Sequence, residues 1–210
     1  MVSDAEFQAE VMRHWAERPD GAHDPGHLRR VWRNCQRIAL DEGPADMEVL
    51  RAAAWLHDLV NLPKDHPDRR SASRLSGRAA AEFLGRAGFP ADRIGAVVHA
   101  IEAHSFSAGI TPETPEARIL QDADRLEALG ALGIARLFHV AGAMGAALFD
   151  DADPMARNRA LDDKRFALDH LETKLLRLPE TMQTATGRLL AEEAADWLAS
   201  FRTRLLKETG

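Results

Sequence analysis

The sequence predicts an all-α fold. Apolar residues recur at the i, i+3, i+4, i+7 spacing of one helical face in segment after segment. No run of strand length alternates apolar with polar residues, and β-branched residues rarely cluster. There is no fixed-period repeat and no long heptad pattern, which sets aside a solenoid and a coiled coil.

Taken in order, Leu28, Val31, Trp32, Cys35 and Ile38 share one face, and Pro25-Gly26 stand where a helix can begin. Met47, Leu50, Ala54 and His57 repeat the stripe in a second helix. Ala72, Leu75, Ala79 and Phe83 make a third, ending near Gly88 and Pro90. Ile94, Val97, Val98 and Ile101 make a fourth, and Ile119, Leu120, Ala123 and Leu126 a fifth. A sixth uses Ala167, Leu168, Leu171 and Leu175 and stops before Pro179. The last spans Met182 to Leu206, with Leu190, Ala194, Trp197, Leu198, Phe201 and Leu205 inward. The expectation is one helical-bundle domain over 1–210, its core at about 10–140 and C-terminal helices at about 160–207 packed on it.

Composition narrows the function classes. Of 210 residues, 45% are hydrophobic and 29% charged, enough apolar material to bury a core. Lys plus Arg total 27 against 33 Asp plus Glu, a formal charge of −6, which argues against a broad basic nucleic-acid surface. Tyrosine is absent, so base-stacking platforms are poorly supplied. The single cysteine, Cys35, rules out an internal disulfide and a Cys-rich metal site. No apolar run approaches membrane-spanning length, and Met1 to Glu10 lacks the apolar region of a secretory signal; the expected location is the cytoplasm. The apolar stripe of the last helix suits a homodimer contact as well as it suits a core.

Three signals stand out as chemistry. His57-Asp58 closes the apolar run Ala52-Ala53-Ala54-Trp55-Leu56, on the stripe of Leu50 and Ala54, so His57 should point inward and need a partner there. A lone His in that position is more often a core residue bonded to a carbonyl. His27 opens a helix whose apolar face includes Val31, an i, i+4 neighbour. Asp122 and Asp124 interrupt an apolar helix, and buried acids are rare unless paired or metal-bound. Periodicity does not separate these two. Together the residues form an N/O donor set suited to Mn²⁺, Fe²⁺, Ni²⁺ or Zn²⁺.

The order His27, His57-Asp58, Asp124 resembles the H…HD…D signature of the HD-domain metal-dependent phosphohydrolases. The flanks are similar too: His23-Asp24-Pro25-Gly26-His27-Leu28-Arg29-Arg30-Val31, Ala53-Ala54-Trp55-Leu56-His57-Asp58, and Asp122-Ala123-Asp124-Arg125-Leu126-Glu127-Ala128-Leu129-Gly130. The last resembles one small bacterial branch, some of whose members are nucleoside triphosphate pyrophosphohydrolases. The resemblance implies one divalent ion, Mn²⁺ first with Mg²⁺, Co²⁺, Ni²⁺, Fe²⁺ or Zn²⁺ also suited, held by His27, His57, Asp58 and Asp124. It selects Asp124 over Asp122, which becomes a supporting carboxylate. It implies hydrolysis of nucleoside triphosphates to monophosphate and pyrophosphate by a metal-bound hydroxide, with Asp58 orienting the water. A nucleoside 5′-monophosphate phosphatase and a silent ligand-sensing module are the alternatives.

Cations near these motifs are the expected phosphate clamps: Lys64 first, as a catalytic and substrate-binding group, then Arg30, Arg125, Lys164 and Arg165. Where some members carry Glu three positions after the HD aspartate, this chain has Asn61, which is neither acid nor base. Metal polarisation alone, or Lys64, Asp65, His66 or Asp122, would then serve. His99 and His104 lie five apart, a poor fit to one stripe. One metal is therefore expected, with His104 a phosphate contact or a support.

Overall fold

The computed structural model describes residues 2–16, 24–62, 68–105 and 108–208. Helices dominate, and the strand-like pairing among the described residues is one isolated bridge between Ala147 and Phe166. The fold is all-α, as the apolar spacing predicts. The chain divides into two compact units, Met1–Asp124 and Arg125–Gly210.

The N-terminal unit is built on α1 (Asp4–Trp15), α2 (Pro25–Ala39), α3 (Met47–Leu56), α4 (Ala72–Arg86), α5 (Ala91–His104) and most of α6 (Pro115–Leu126). α3 is its axis. It packs against α1, α2, α4 and α5, which explains why Val49, Leu50 and every residue from Ala52 to Leu56 are buried. A helix packed on four neighbours needs apolar residues over most of its surface. Leu50 and Leu56 each contribute about 2 kcal/mol through burial alone. The run Ala52-Ala53-Ala54 lets neighbours approach closely, and α4 does the same for α5 at Gly77, where a Cβ would lie 3.2 Å from Glu102 Cγ.

Caps set the helix starts. Asp24 accepts from the His27 N–H at 2.7 Å, with Pro25 in the first turn of α2. Asp46 accepts from Glu48 and Val49 at the head of α3, and Ser3 and Glu6 form a capping box on α1.

The C-terminal unit holds α7 (Gly130–Ala143), α8 (Asp169–Thr173) and α9 (Ala185–Glu208). Leu137, Leu171, Leu178 and Leu198 belong to its core. Between α7 and α8 the polar stretch is folded by its own aspartates. Asp169 accepts from Arg159 Nη1 and Nη2 at 2.5 and 2.9 Å and from the Asp162 N–H at 2.7 Å. The Arg159 guanidinium lies 4.4 Å over the Phe166 ring.

Several elements differ from the sequence expectation. The sixth helix is not continuous: α8 ends at Thr173 and a 3-10 segment, Leu175–Thr181, carries the chain past Pro179. The break falls at Lys174, whose φ of −139° is not helical. Trp197 is about half exposed, because Leu198 takes the buried place and one helix cannot turn both neighbours inward. Trp197 instead stacks on Phe201, ring centroids 6.2 Å apart. The helices α1 and α7 were not anticipated.

Candidate metal centre

Five side chains of the N-terminal unit meet beyond the end of α3. His27 sits in the first turn of α2, held through its N–H by Asp24. Gly26 keeps that turn tight, since a Cβ there would sit 3.0 Å from both Asp24 Oδ1 and Arg30 Nη1. His57 ends α3 and Asp58 follows it. His104 closes α5, and Asp124 lies in the last turn of α6.

His27 Nε2 and His57 Nε2 are 3.3 Å apart. Asp124 Oδ1 lies 3.6 Å from His27 Nε2 and 3.8 Å from His57 Nε2. Asp58 Oδ2 lies 3.8 and 3.6 Å from the same two atoms. Its other oxygen, Oδ1, is 3.6 Å from His104 Nε2. Cis ligands about 2.1 Å from a common ion stand about 3.0 to 3.4 Å apart. The His27–His57 separation falls in that range and those to the carboxylates lie slightly outside it, so the donors need only a small contraction to share one ion. Two donor groups result, His27/His57/Asp124 and His57/Asp58/His104.

The protonation states suit donation. His57 Nδ1 lies 2.9 Å from the Ala54 carbonyl, an arrangement in which Nδ1 donates and Nε2 presents its lone pair. Burial pushes the His57 pKa down to about 4, against the pull of the nearby carboxylates. Burial also works to raise the Asp124 carboxyl, but His57, His104 and His27 hold it below its ordinary value. For His104, the Asp58 hydrogen bond and charge outweigh burial and raise its pKa. His104 Nδ1 is tied to the Ile101 carbonyl at 2.5 Å. Cys35 is fully buried, and burial together with the Asp124 charge pushes its thiol well up, so no thiolate competes.

His27 and His57 are buried, while Asp58 and Asp124 keep 18% and 29% of their side chains exposed. The imidazoles form the floor and the carboxylates the open side, from which a ligand would approach.

Other sequence candidates fall elsewhere. Asp122 is fully buried on α6 but belongs to neither donor group. Arg30 pairs with Asp24 at 4.0 Å. In the C-terminal unit, Arg125 Nη1 donates to the Thr181 carbonyl at 2.5 Å, and Lys164 and Arg165 are exposed on a turn capped by Asp162. His99 accepts from the Glu113 N–H at 3.0 Å, fastening the segment before α6. Lys64, Asp65 and His66 lie outside the described residues. Trp15 had no sequence signal at all, yet its Nε1–H donates to the Asp58 carbonyl at 2.9 Å.

The HD domain family matches residues 26–129, a span holding all five converging side chains. The chain is also 34% identical to the uncharacterised protein YpgQ of Bacillus subtilis strain 168, over 96% of this chain and 93% of that protein. The chain belongs to the HD-domain family. Among solved HD-type neighbours, the crystal structure of B. subtilis YpgQ in complex with ADP superposes with a TM-score of 0.73 at 32% identity, covering 96% of this chain and 97% of that one. An HD-superfamily hydrolase from Bacillus thuringiensis superposes with a TM-score of 0.71 at 26% identity, covering 97% and 96%. This HD-domain chain is accordingly a hydrolase. Among its described residues no single helix is long and apolar enough to cross a membrane.

Proposed function

We propose that this chain is a divalent-metal-dependent phosphohydrolase of nucleotides, cleaving nucleoside triphosphates to monophosphate and pyrophosphate. The observation that carries the reading is that Asp58 Oδ2 and Asp124 Oδ1 each lie 3.6 to 3.8 Å from both His27 Nε2 and His57 Nε2, with His57 Nε2 presenting a lone pair. The donors fit a hard or borderline cation: two imidazoles, two carboxylates and no thiolate. The ADP bound by YpgQ supports a nucleotide as the ligand class.

A cation such as Mn²⁺ held there would lower the pKa of water and neutralise phosphoryl charge. The protein's own groups do the rest. His27 and His57 form the dry floor, and their burial excludes bulk water from the reacting side. Asp58 turns Oδ2 to the imidazoles and Oδ1 to His104, placing an acceptor where an attacking water must be oriented. Water adds to the α-phosphorus, the bond to the bridging oxygen breaks, and pyrophosphate leaves. Arg30 and Lys64 are the cations of the same unit assigned to the phosphate charge; His104 lies beside Asp58 to contact the phosphoryl group, and Asp122 supports α6.

The test is product analysis on a nucleotide panel with Mn²⁺, comparing wild type with Asp58→Ala. Pyrophosphate from triphosphates, lost in the variant, is expected. Orthophosphate from monophosphates would move the scissile bond and make the chain a nucleotidase.

A further inference from the structure

Trp15 belongs to none of the motifs above and lies outside the residues that match the HD domain. It ends α1, and its indole reaches across 43 positions of sequence to the Asp58 carbonyl. Asp58 stands just past the end of α3, where carbonyls have run out of intrahelical donors. The carbonyl there accepts from an indole N–H of another helix. Two residues on, the Val60 N–H donates to Ser76 Oγ on α4 at 3.0 Å. The turn that carries Asp58 is thus pinned from α1 on one side and α4 on the other.

Comparable ties occur at the other converging residues. Asn34 Nδ2 on α2 donates to the Ala123 carbonyl, next to Asp124, at 3.3 Å. Gln121 Nε2 on α6 donates to the Ala103 carbonyl, next to His104, at 2.6 Å. The Trp15 bond differs in gripping the carbonyl of the carboxylate residue itself. An aspartate side chain is short, so a shift of the backbone turn that carries it moves both oxygens. Here Oδ2 faces His27 and His57 while Oδ1 faces His104, and the placement of one backbone turn bears on both.

We propose that Trp15 is a positioning residue for the cation site, its indole N–H holding the Asp58 peptide so that each carboxylate oxygen keeps its own imidazole neighbours. The proposal rests on the reading of this site as a divalent-cation centre. It predicts an effect on cation affinity that separates from any effect on fold stability.

The experiment is calorimetric titration with Mn²⁺ of wild type, Trp15→Phe and Phe7→Leu, each with its thermal midpoint. Phe7 is the fully buried anchor of α1 and is not a partner of the Asp58 carbonyl. Trp15→Phe should weaken Mn²⁺ binding about tenfold, the scale of losing a support behind a metal ligand. Its kcat should recover at saturating Mn²⁺. Phe7→Leu should lower the thermal midpoint and leave the Mn²⁺ affinity unchanged. Should Trp15→Phe fail to fold, benzothienylalanine at position 15 keeps the fused ring, lacks the N–H and should give the same tenfold loss. Mn²⁺ affinity within about twofold of wild type in the variant lacking the N–H would overturn the proposal. So would an equal loss in Phe7→Leu, which would make the effect one of α1 packing. A wild type that takes up no Mn²⁺ would instead overturn the cation-site reading, and this inference with it.

Discussion

Two regions of the chain gather aspartates around histidines, and they use them in opposite ways. In the C-terminal unit the carboxylates of Asp153, Asp163 and Asp169 face donors. Asp153 accepts from the Arg157 and Asn158 N–H groups, Asp163 from His170 and Thr173, and Asp169 from Arg159 and the Asp162 N–H. Those acids fold a loop. In the N-terminal unit the carboxylates of Asp58 and Asp124 face imidazole nitrogens that also face one another at 3.3 Å. Two carboxylates gathered around the His57 lone pair suit a cation among them. Acid density marks neither arrangement; what each oxygen faces distinguishes them.

The sharpest way to break this contrast is to exchange the roles. Asp124→Ala should lower Mn²⁺ affinity by more than about 100-fold, the upper end of what even an outer support is worth, and abolish turnover. Asp163→Ala should leave both unchanged. Equilibrium dialysis and a pyrophosphate assay on the pair decide it, and equal effects would erase the distinction.

Stability should respond in reverse. Asp169→Ala strips the Arg159 guanidinium and the Asp162 N–H of their buried acceptor. Removing one partner of such a pair is costly, and the thermal midpoint should fall by about 5 °C or more with Mn²⁺ affinity intact.

The fold class was legible because the stripes of α2 to α6 are dense and each is bounded by Gly, Pro or Asp. α1 shows no clean apolar stripe because its buried face includes a charge: Glu10 is buried between Phe7 and Val11, neutralised by Arg13 at 2.6 Å and Arg86 at 3.4 Å. α7 carries Gly133 and Gly142, which depress helix propensity; at Gly133 a Cβ would overlap the Ala128 carbonyl. The sixth stripe buries Ala167, Leu168, Leu171 and Leu175 as its spacing implies, but a 3-10 segment keeps i, i+3 neighbours on one side as well as an α-helix does. Of the site, the periodicity of α3 indicated only that His57 points inward, and His57 is indeed buried. The motif order named four of the five side chains that meet there. Trp15 and the His104–Asp58 contact depend on tertiary approach over long sequence separations, which leaves no local pattern to read.

The smallest effect is an acid window. Asp153, Asp163 and Asp169 all titrate below their ordinary range: backbone N–H groups hold Asp153 down, the His170 hydrogen bond Asp163, and at Asp169 the Arg159 hydrogen bond outweighs burial. A carboxyl depressed in the folded state gives stability that is complete above about pH 4 and lost as pH falls through the folded value. Amides of residues 150–170 should therefore lose hydrogen-exchange protection below about pH 4. The His57 ring should stay neutral until about pH 4, as its imidazole NMR shifts would show. A ring that charges near pH 6.5 would remove the ready donor.

The bond from His57 Nδ1 to Ala54 lies within one helix end and relies on no other element. With burial, it delivers an imidazole that has no proton to shed near neutrality. Cation uptake by protein ligands ordinarily doubles as proton release, so it drifts with buffer and acidity. At His57 that coupling is missing. His57 itself should therefore add no pH dependence to cation uptake near neutrality, and any that is measured would come from its neighbours, His104 among them.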